Sequence, residues 1–295
     1  MLSPFVNALV TELEKAPSYR LSAIIEMATL SPSAQRMLNK HYATYRWPLQ
    51  QHPELGNLQA VSPWLFATRP DAGVNAQYEF QGLLERYSEG AVCGWIISAL
   101  APDLLARHLS QAGVVVGPDG HSYLLRYHTA ASLQVLDQRR DLPGVKQWLA
   151  PVHQWWVQQP SAKPKQRLWA PIIGDDRPEM TPVPRFRLDH ACWTALAGDP
   201  LSYRLAELLR DEPHLPLFEQ ACHGTRVGLI DLYLAQARKH GLLREQDQIT
   251  YVLVMARNGE TFASTPGWQQ ALKATCEQRT PLIENLQTYV AEAHR

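Results

Sequence analysis

Pro160, Pro164, Pro171, Pro178, Pro182 and Pro184 crowd the stretch from Gln159 to Arg187. Each proline removes a backbone donor and pushes its predecessor away from helical geometry, so this stretch cannot be one helix. It divides a chain of 295 residues into two differently patterned parts. Before it, short apolar runs interleave with helical spacing; after it, three- and four-residue apolar spacing dominates. The expected organisation is an α/β lobe over residues 1–158, a Pro-rich linker over 159–187 and an all-α lobe over 188–295. Within the linker, Leu168 to Ile173 has room for an edge strand.

In the first part, Phe5, Leu9 and Leu13 fall four apart and predict a helix from Leu2 to Lys15. Tyr19–Glu26, Ala60–Thr68 and Ala91–Ala99 read as strands, and Ser31–Tyr45, Tyr78–Ser88 and Asp103–Gln111 as helices. Val114–Val116, then Gly117-Pro118-Asp119-Gly120, then Tyr123–Tyr127 form the clearest local signal, a β-hairpin. Leu133–Leu136 and Val145–Val157 are predicted helical, the second carrying Trp148, Trp155 and Trp156. Strands interleaved with helices, plus one hairpin, imply a mixed sheet with flanking helices. In the last part, helical segments are expected near 189–197, 201–211, 215–240, 245–258 and 266–293. Ile230, Tyr233, Leu234 and Ala237 form one apolar stripe. Pro266 and Pro281 suit N1 positions behind Thr265 and Thr280, and Gly241 and Gly259 suit helix ends.

Composition narrows the function classes. Lys plus Arg equals Asp plus Glu at 28 each, so no global field draws the chain to nucleic acid or an anionic membrane. The N-terminal residues lack a basic segment followed by an apolar core, and the longest apolar runs are far short of a membrane span. Cys93, Cys192, Cys222 and Cys276 are scattered, which suits reduced thiols in a cytoplasm. A cytoplasmic protein is expected.

Chemistry-bearing patterns are sparse. The sequence contains no GxSxG elbow, no GxxxxGK[ST] loop, no GxGxxG after a strand and no HExxH. His190-x-Cys192 with Cys222-His223 offers four soft ligands, but both spacings are tighter than zinc sites use. Cys222, His223 and Asp231 suggest a nucleophile, base and orienter, yet adjacent residues of a helix point about a hundred degrees apart. Asp175, Asp176 and Glu179 lack a glycine-punctuated cation loop and read as solvated acids. No catalytic residue, metal ligand or cofactor is assigned. Nine tryptophans remain, with Trp148, Trp155, Trp156 and Trp169 near the proposed junction. Core filling accounts for most, and an exposed one would anchor a protein partner.

Five short blocks between Tyr19 and Trp155 occur in an order that resembles the type VI secretion effector chaperones of the Tap/TEC family. Ser22-Ala23-Ile24-Ile25-Glu26-Met27-Ala28 stands where that family opens with "YALLDGA". Pro63-Trp64-Leu65 matches its "PWL" strand, and Gly94-Trp95-Ile96-Ile97-Ser98 with His108-Leu109 its "GWG" strand and "HL" helix. Asp119-Gly120 and Leu124-Leu125-Arg126-Tyr127 match its hairpin, and Ala150-Pro151-Val152 with Trp155 its close. Ala237 to Phe262 resembles the helical tail. Two departures stand out: Glu26 replaces the usual Asp, and His128-Thr129-Ala130-Ala131 replaces a Tyr-Asp-Pro-Arg run.

The resemblance implies an adaptor that binds the N-terminal region of a cognate effector and promotes its loading onto the VgrG spike or its PAAR tip. Trp64 and Trp95 would then fill the core, and Arg126 needs a carboxylate or carbonyl partner. Trp155, Trp156, Trp169, Tyr233, Arg126 and His128 are the residues expected to meet the partner. The competing readings are a hydrolase assembled from distant residues and a regulatory interaction protein without an effector client.

Overall fold

The computed structural model describes residues 3–88, 90–161, 167–210, 212, 215, 218 and 221–292. The chain forms two compact units, one of residues 1–159 and 169–198, the other of residues 160–168 and 199–295.

The first unit is built on a six-stranded sheet ordered β2-β3-β1-β4-β7-β8. Its strands are β1 (Arg20–Glu26), β2 (Arg46–Pro48), β3 (Pro63–Ala67), β4 (Val92–Ser98), β7 (Gln154–Gln159) and β8 (Leu168–Ile173). The pairs β2/β3, β3/β1, β1/β4 and β4/β7 are all antiparallel. β1 and β4 are buried nearly end to end, which is why their sequences read as continuous apolar runs rather than alternating ones. The fold class expected from the sequence holds: a sheet with flanking helices, followed by helices alone.

Register assigns the two faces. Ala23, Phe66, Trp95 and Trp156 are cross-strand partners on one face. That face packs against Leu9 and Leu13 of α1 (Pro4–Leu13), Leu38 of α2 (Pro32–His41) and Phe80 and Leu84 of α3 (Val74–Tyr87). Ile24, Leu65, Ile96 and Trp155 lie on the other face. There Trp155 meets Trp148 of α6 (Val145–Leu149) at a ring distance of 5.6 Å. α4 (Pro102–Ser110) is tied to α6 through His108 Nε2, 3.0 Å from the Trp148 carbonyl, and through Trp148 Nε1, which donates to the Leu109 carbonyl. α5 (Ala130–Gln138) precedes α6.

The predicted helix over Val145–Val157 is corrected. It ends at Leu149, and β7 begins at Gln154. Pro151 removes a donor where the helix would continue. Beyond it Trp155, Trp156 and Val157 alternate between the sheet faces and pair with β4. Gly94 makes this pairing possible, because a Cβ there would stand 2.6 Å from Trp155 Nε1.

The hairpin joins β5 (Val114–Val116) to β6 (Ser122–Leu124). Gly120 N–H donates to the Gly117 carbonyl and Gly117 N–H to that of His121. Gly120 takes φ +82°, the left-handed position that glycine fills without strain.

The Pro-rich stretch read as a linker is largely folded into the first unit. It supplies β8, and Phe186 packs on Trp148 at a ring distance of 5.8 Å. Gly174 leaves β8 so closely under the preceding loop that a Cβ would meet the carbonyl oxygens of Val152 and Leu149 at 2.1 and 2.4 Å. Residues 162–166 of the stretch lie outside the described residues. α7 (His190–Ala197), expected in the helical lobe, also belongs to the first unit, where Trp193 packs on Tyr123 at 4.5 Å.

The second unit contains α8 (Pro200–Leu208), α9 (His223–Lys239), α10 (Glu245–Ala263), α11 (Pro266–Gln278) and α12 (Leu282–Glu292). Leu205, Ile230, Tyr233, Met255 and Trp268 fill its core. Gly241 ends α9 at φ +86°, with Leu242 N–H returning to the Ala237 carbonyl in the manner of a left-handed helix cap. Part of the predicted 215–240 helix falls on residues 216, 217, 219 and 220, outside the described residues. The 266–293 segment is two helices, parted at Arg279 with φ +58°. Thr265 does not cap with its side chain; its hydroxyl donates back to the Phe262 carbonyl. No helix among the described residues is long and apolar enough to cross a membrane.

Candidate partner-binding site

β1 ends at Glu26, whose side chain is 4% exposed. A carboxylate at that depth needs a counter-charge, and Arg126, just beyond β6, supplies it through Nη2. His128 Nε2 stands 3.8 Å from the same carboxylate oxygen, in a residue that is itself buried. The Arg126 side chain is 42% exposed. It therefore closes a buried acid on one side and presents a positive edge to the surface on the other. Arg126 and His128 meet at this one carboxylate. Glu26, noted in the sequence only as a departure from Asp, is the group that joins them.

The remaining four expected contact residues separate by depth. Trp155 is wholly buried among Trp148, Tyr127 and Ile96, so it is a core residue and not an exposed anchor. Tyr233 is also wholly buried, and burial pushes its hydroxyl pKa up. Trp156 and Trp169 are half-buried, both against Phe5 of α1: Trp156 edge-on at 5.5 Å, Trp169 stacked at 5.0 Å. Parity decides the first pair. Adjacent residues of β7 face opposite sides of the sheet, a distinction that a helical reading of the segment could not make.

A polar cluster missed by sequence reading sits at the edge of the same unit. His153 Nε2 is 2.7 Å from Glu12 of α1, and Nδ1 is 3.1 Å from the Tyr19 hydroxyl, which donates to Asp176. Burial and the Asp176 carboxylate push Tyr19 up to about 12. Burial pushes Glu12 up, but hydrogen bonds from Lys15 and His153 outweigh it and leave the carboxyl below its usual value. Asp176 holds φ +55°, a costly conformation for a non-glycine residue. The cluster ties α1, the β4–β7 connection and the chain leaving β8 together. Its members lie at positions 12, 19, 153 and 176, so no local signal marks it.

Several of the groups weighed for chemistry are engaged in the fold. Asp176 accepts from Tyr19, and Asp175 lies 3.9 Å from Arg140. Asp231 accepts from Ser202 Oγ, and burial raises its pKa. Cys222 Sγ lies 3.2 Å from Thr225 Oγ1. Among the described residues, no three His, Cys, Asp or Glu side chains are grouped to hold a metal ion.

Two apolar recesses open to the surface. In the second unit, a groove of about 510 Å³ is lined by Leu209, Leu215, Leu253, Val254 and Ile283, together with Glu212 and Arg257. In the first, a cleft of about 160 Å³ lies between the hairpin and α7, lined by Tyr123, Leu125, Leu188, Trp193 and Leu196.

Residues 21–147 match the model of a family described as a domain of unknown function, DUF4123. This domain is associated with type VI secretion effector adaptors. The matched span runs from β1 to the start of α6 and contains Glu26, Arg126, His128 and the whole hairpin. β7, β8 and the helical unit lie outside it. No curated protein and no solved structure matches the chain.

Proposed function

We propose that this protein is a cytoplasmic adaptor that binds the N-terminal region of a cognate type VI effector and promotes its loading onto the VgrG spike or its PAAR tip. The observation that carries this reading is the DUF4123 match over residues 21–147. Apolar effector segments aggregate unless covered, and an adaptor lends them apolar surface. The two recesses and the half-buried Trp156 and Trp169 are surfaces of that kind. The protein works by binding, without making or breaking a covalent bond. The buried carboxylate of Glu26 has a structural counter-charge in Arg126.

Co-expression with a candidate effector tests the reading. The effector is expected to become soluble, to co-purify with the chain and to depend on it for secretion. An effector that is soluble and secreted at the same level without this protein overturns the proposal.

A further inference from the structure

The hairpin has one occupied edge and one open edge. In an antiparallel pair, residues alternate between bonding across the pair and pointing their N–H and C=O away from it. Gly117 with His121 and Gly113 with Leu125 bond across the hairpin. The register Val115↔Tyr123 places the third such pair between them. Val116 must then point outward, and it does: its N–H donates to the Phe186 carbonyl and its own carbonyl accepts from Leu188 N–H. By the same alternation Ser122 and Leu124 point their backbone groups away from β5 on the opposite side. Among the described residues no group takes them.

Side chains at that open edge are arranged for an occupant. Val115, Tyr123 and Leu125 face α7, and the apolar cleft lies there, beside Trp193 and Leu196. Its volume, about 160 Å³, is below the roughly 300 Å³ at which small-molecule sites begin and suits one large apolar side chain. Leu124, which also borders the cleft, is 49% exposed, on a strand edge that is a ready template for pairing. Just past it, Arg126 keeps its positive edge at the surface, and Glu26 is the one carboxylate it meets among the described residues.

We infer that β6 is the docking edge for an extended segment of the effector, which adds to the hairpin as a further strand. The segment places one apolar side chain in the cleft against Trp193 and Leu196 and an acidic residue near Arg126. Main-chain bonds to Ser122 and Leu124 supply affinity, and the cleft supplies selectivity, as in other strand-addition complexes. This inference rests on the adaptor reading and names its surface.

The test uses the full chain and the N-terminal region of the co-purifying effector. Backbone amide exchange across residues 121–125 is expected to slow at least tenfold in the complex. Leu124→Pro removes the outward N–H, and Ala197→Trp fills the cleft from α7; each is expected to raise Kd at least tenfold. Ala197→Trp alters an exposed position at the end of α7, which keeps the test usable if the proline variant fails to fold. A complex that forms with unchanged exchange at 121–125 and wild-type affinity in Ala197→Trp overturns the docking edge and leaves the adaptor reading standing. Failure of the wild-type chain to bind any candidate effector overturns both.

Discussion

Arg126 and Glu26, a hundred positions apart in the chain, form an ion pair whose carboxylate is 4% exposed while its guanidinium is 42% exposed. The asymmetry makes Arg126 a plug over a buried charge. Truncating it removes the arginine from a buried carboxylate that keeps His128 at 3.8 Å, and breaking such a pair costs up to about 3 kcal/mol. Arg126→Ala is therefore expected to lower the stability of the first unit by up to about 3 kcal/mol in urea unfolding followed by near-ultraviolet dichroism. In a Glu26→Gln background the same change should cost less than about 1 kcal/mol, since no charge is left behind. Equal costs in both backgrounds would show that the pair is not coupled.

Gly94→Ala puts a methyl group 2.6 Å from the Trp155 indole nitrogen. Overpacking of this kind costs roughly 1–3 kcal/mol. The expected outcome is a lower melting temperature with an altered tryptophan dichroism signal. An unchanged melt would mean that β7 moves freely relative to β4.

Trp155 and Trp169 should behave oppositely. Trp155→Ala empties the aromatic cluster with Trp148 and Tyr127 and should cost about 3–5 kcal/mol. Trp169→Ala loses one half-buried stacking contact with Phe5, worth about 1 kcal/mol. Calorimetry of the two variants decides the ranking.

His108 gives the first unit an acid sensitivity. Burial lowers its pKa below 6.5, partly offset by the bond to the Trp148 carbonyl. The folded state therefore holds the imidazole neutral while the unfolded chain protonates it. Its stabilising contribution is fully present above the unfolded value of 6.5 and is lost as pH falls through the lower folded value. The melting temperature is expected to fall as pH drops from 6.5 towards that lower value, and to fall less steeply in His108→Gln. Parallel pH profiles for the two proteins would refute this assignment.

β1, β3, β4 and the hairpin were legible because uninterrupted apolar runs and the Pro-Asp-Gly turn each carry a local physical signature. β7 was not, since Trp155-Trp156-Val157 has no turn signal before it other than Pro151, and aromatic residues serve helix and strand alike. For Arg126 the need for an acceptor could be read from its apolar neighbours; that the acceptor is Glu26 depends on β1 ending beside the hairpin. The Glu12–His153–Asp176 cluster is a product of tertiary assembly alone. The prolines misled in one respect. They exclude a helix, as expected, but the exposed Pro184 still sets its carbonyl 2.3 Å from where a Cβ of Gly144 would be, so the stretch is tied to the first unit.

The tight exit at Gly174 has a practical corollary for anyone rebuilding this molecule. With carbonyl oxygens 2.1 and 2.4 Å from the position a methyl group would take, the chain there can be neither rerouted nor decorated. An insertion or label at Gly174 would prise the outermost strand from its sheet.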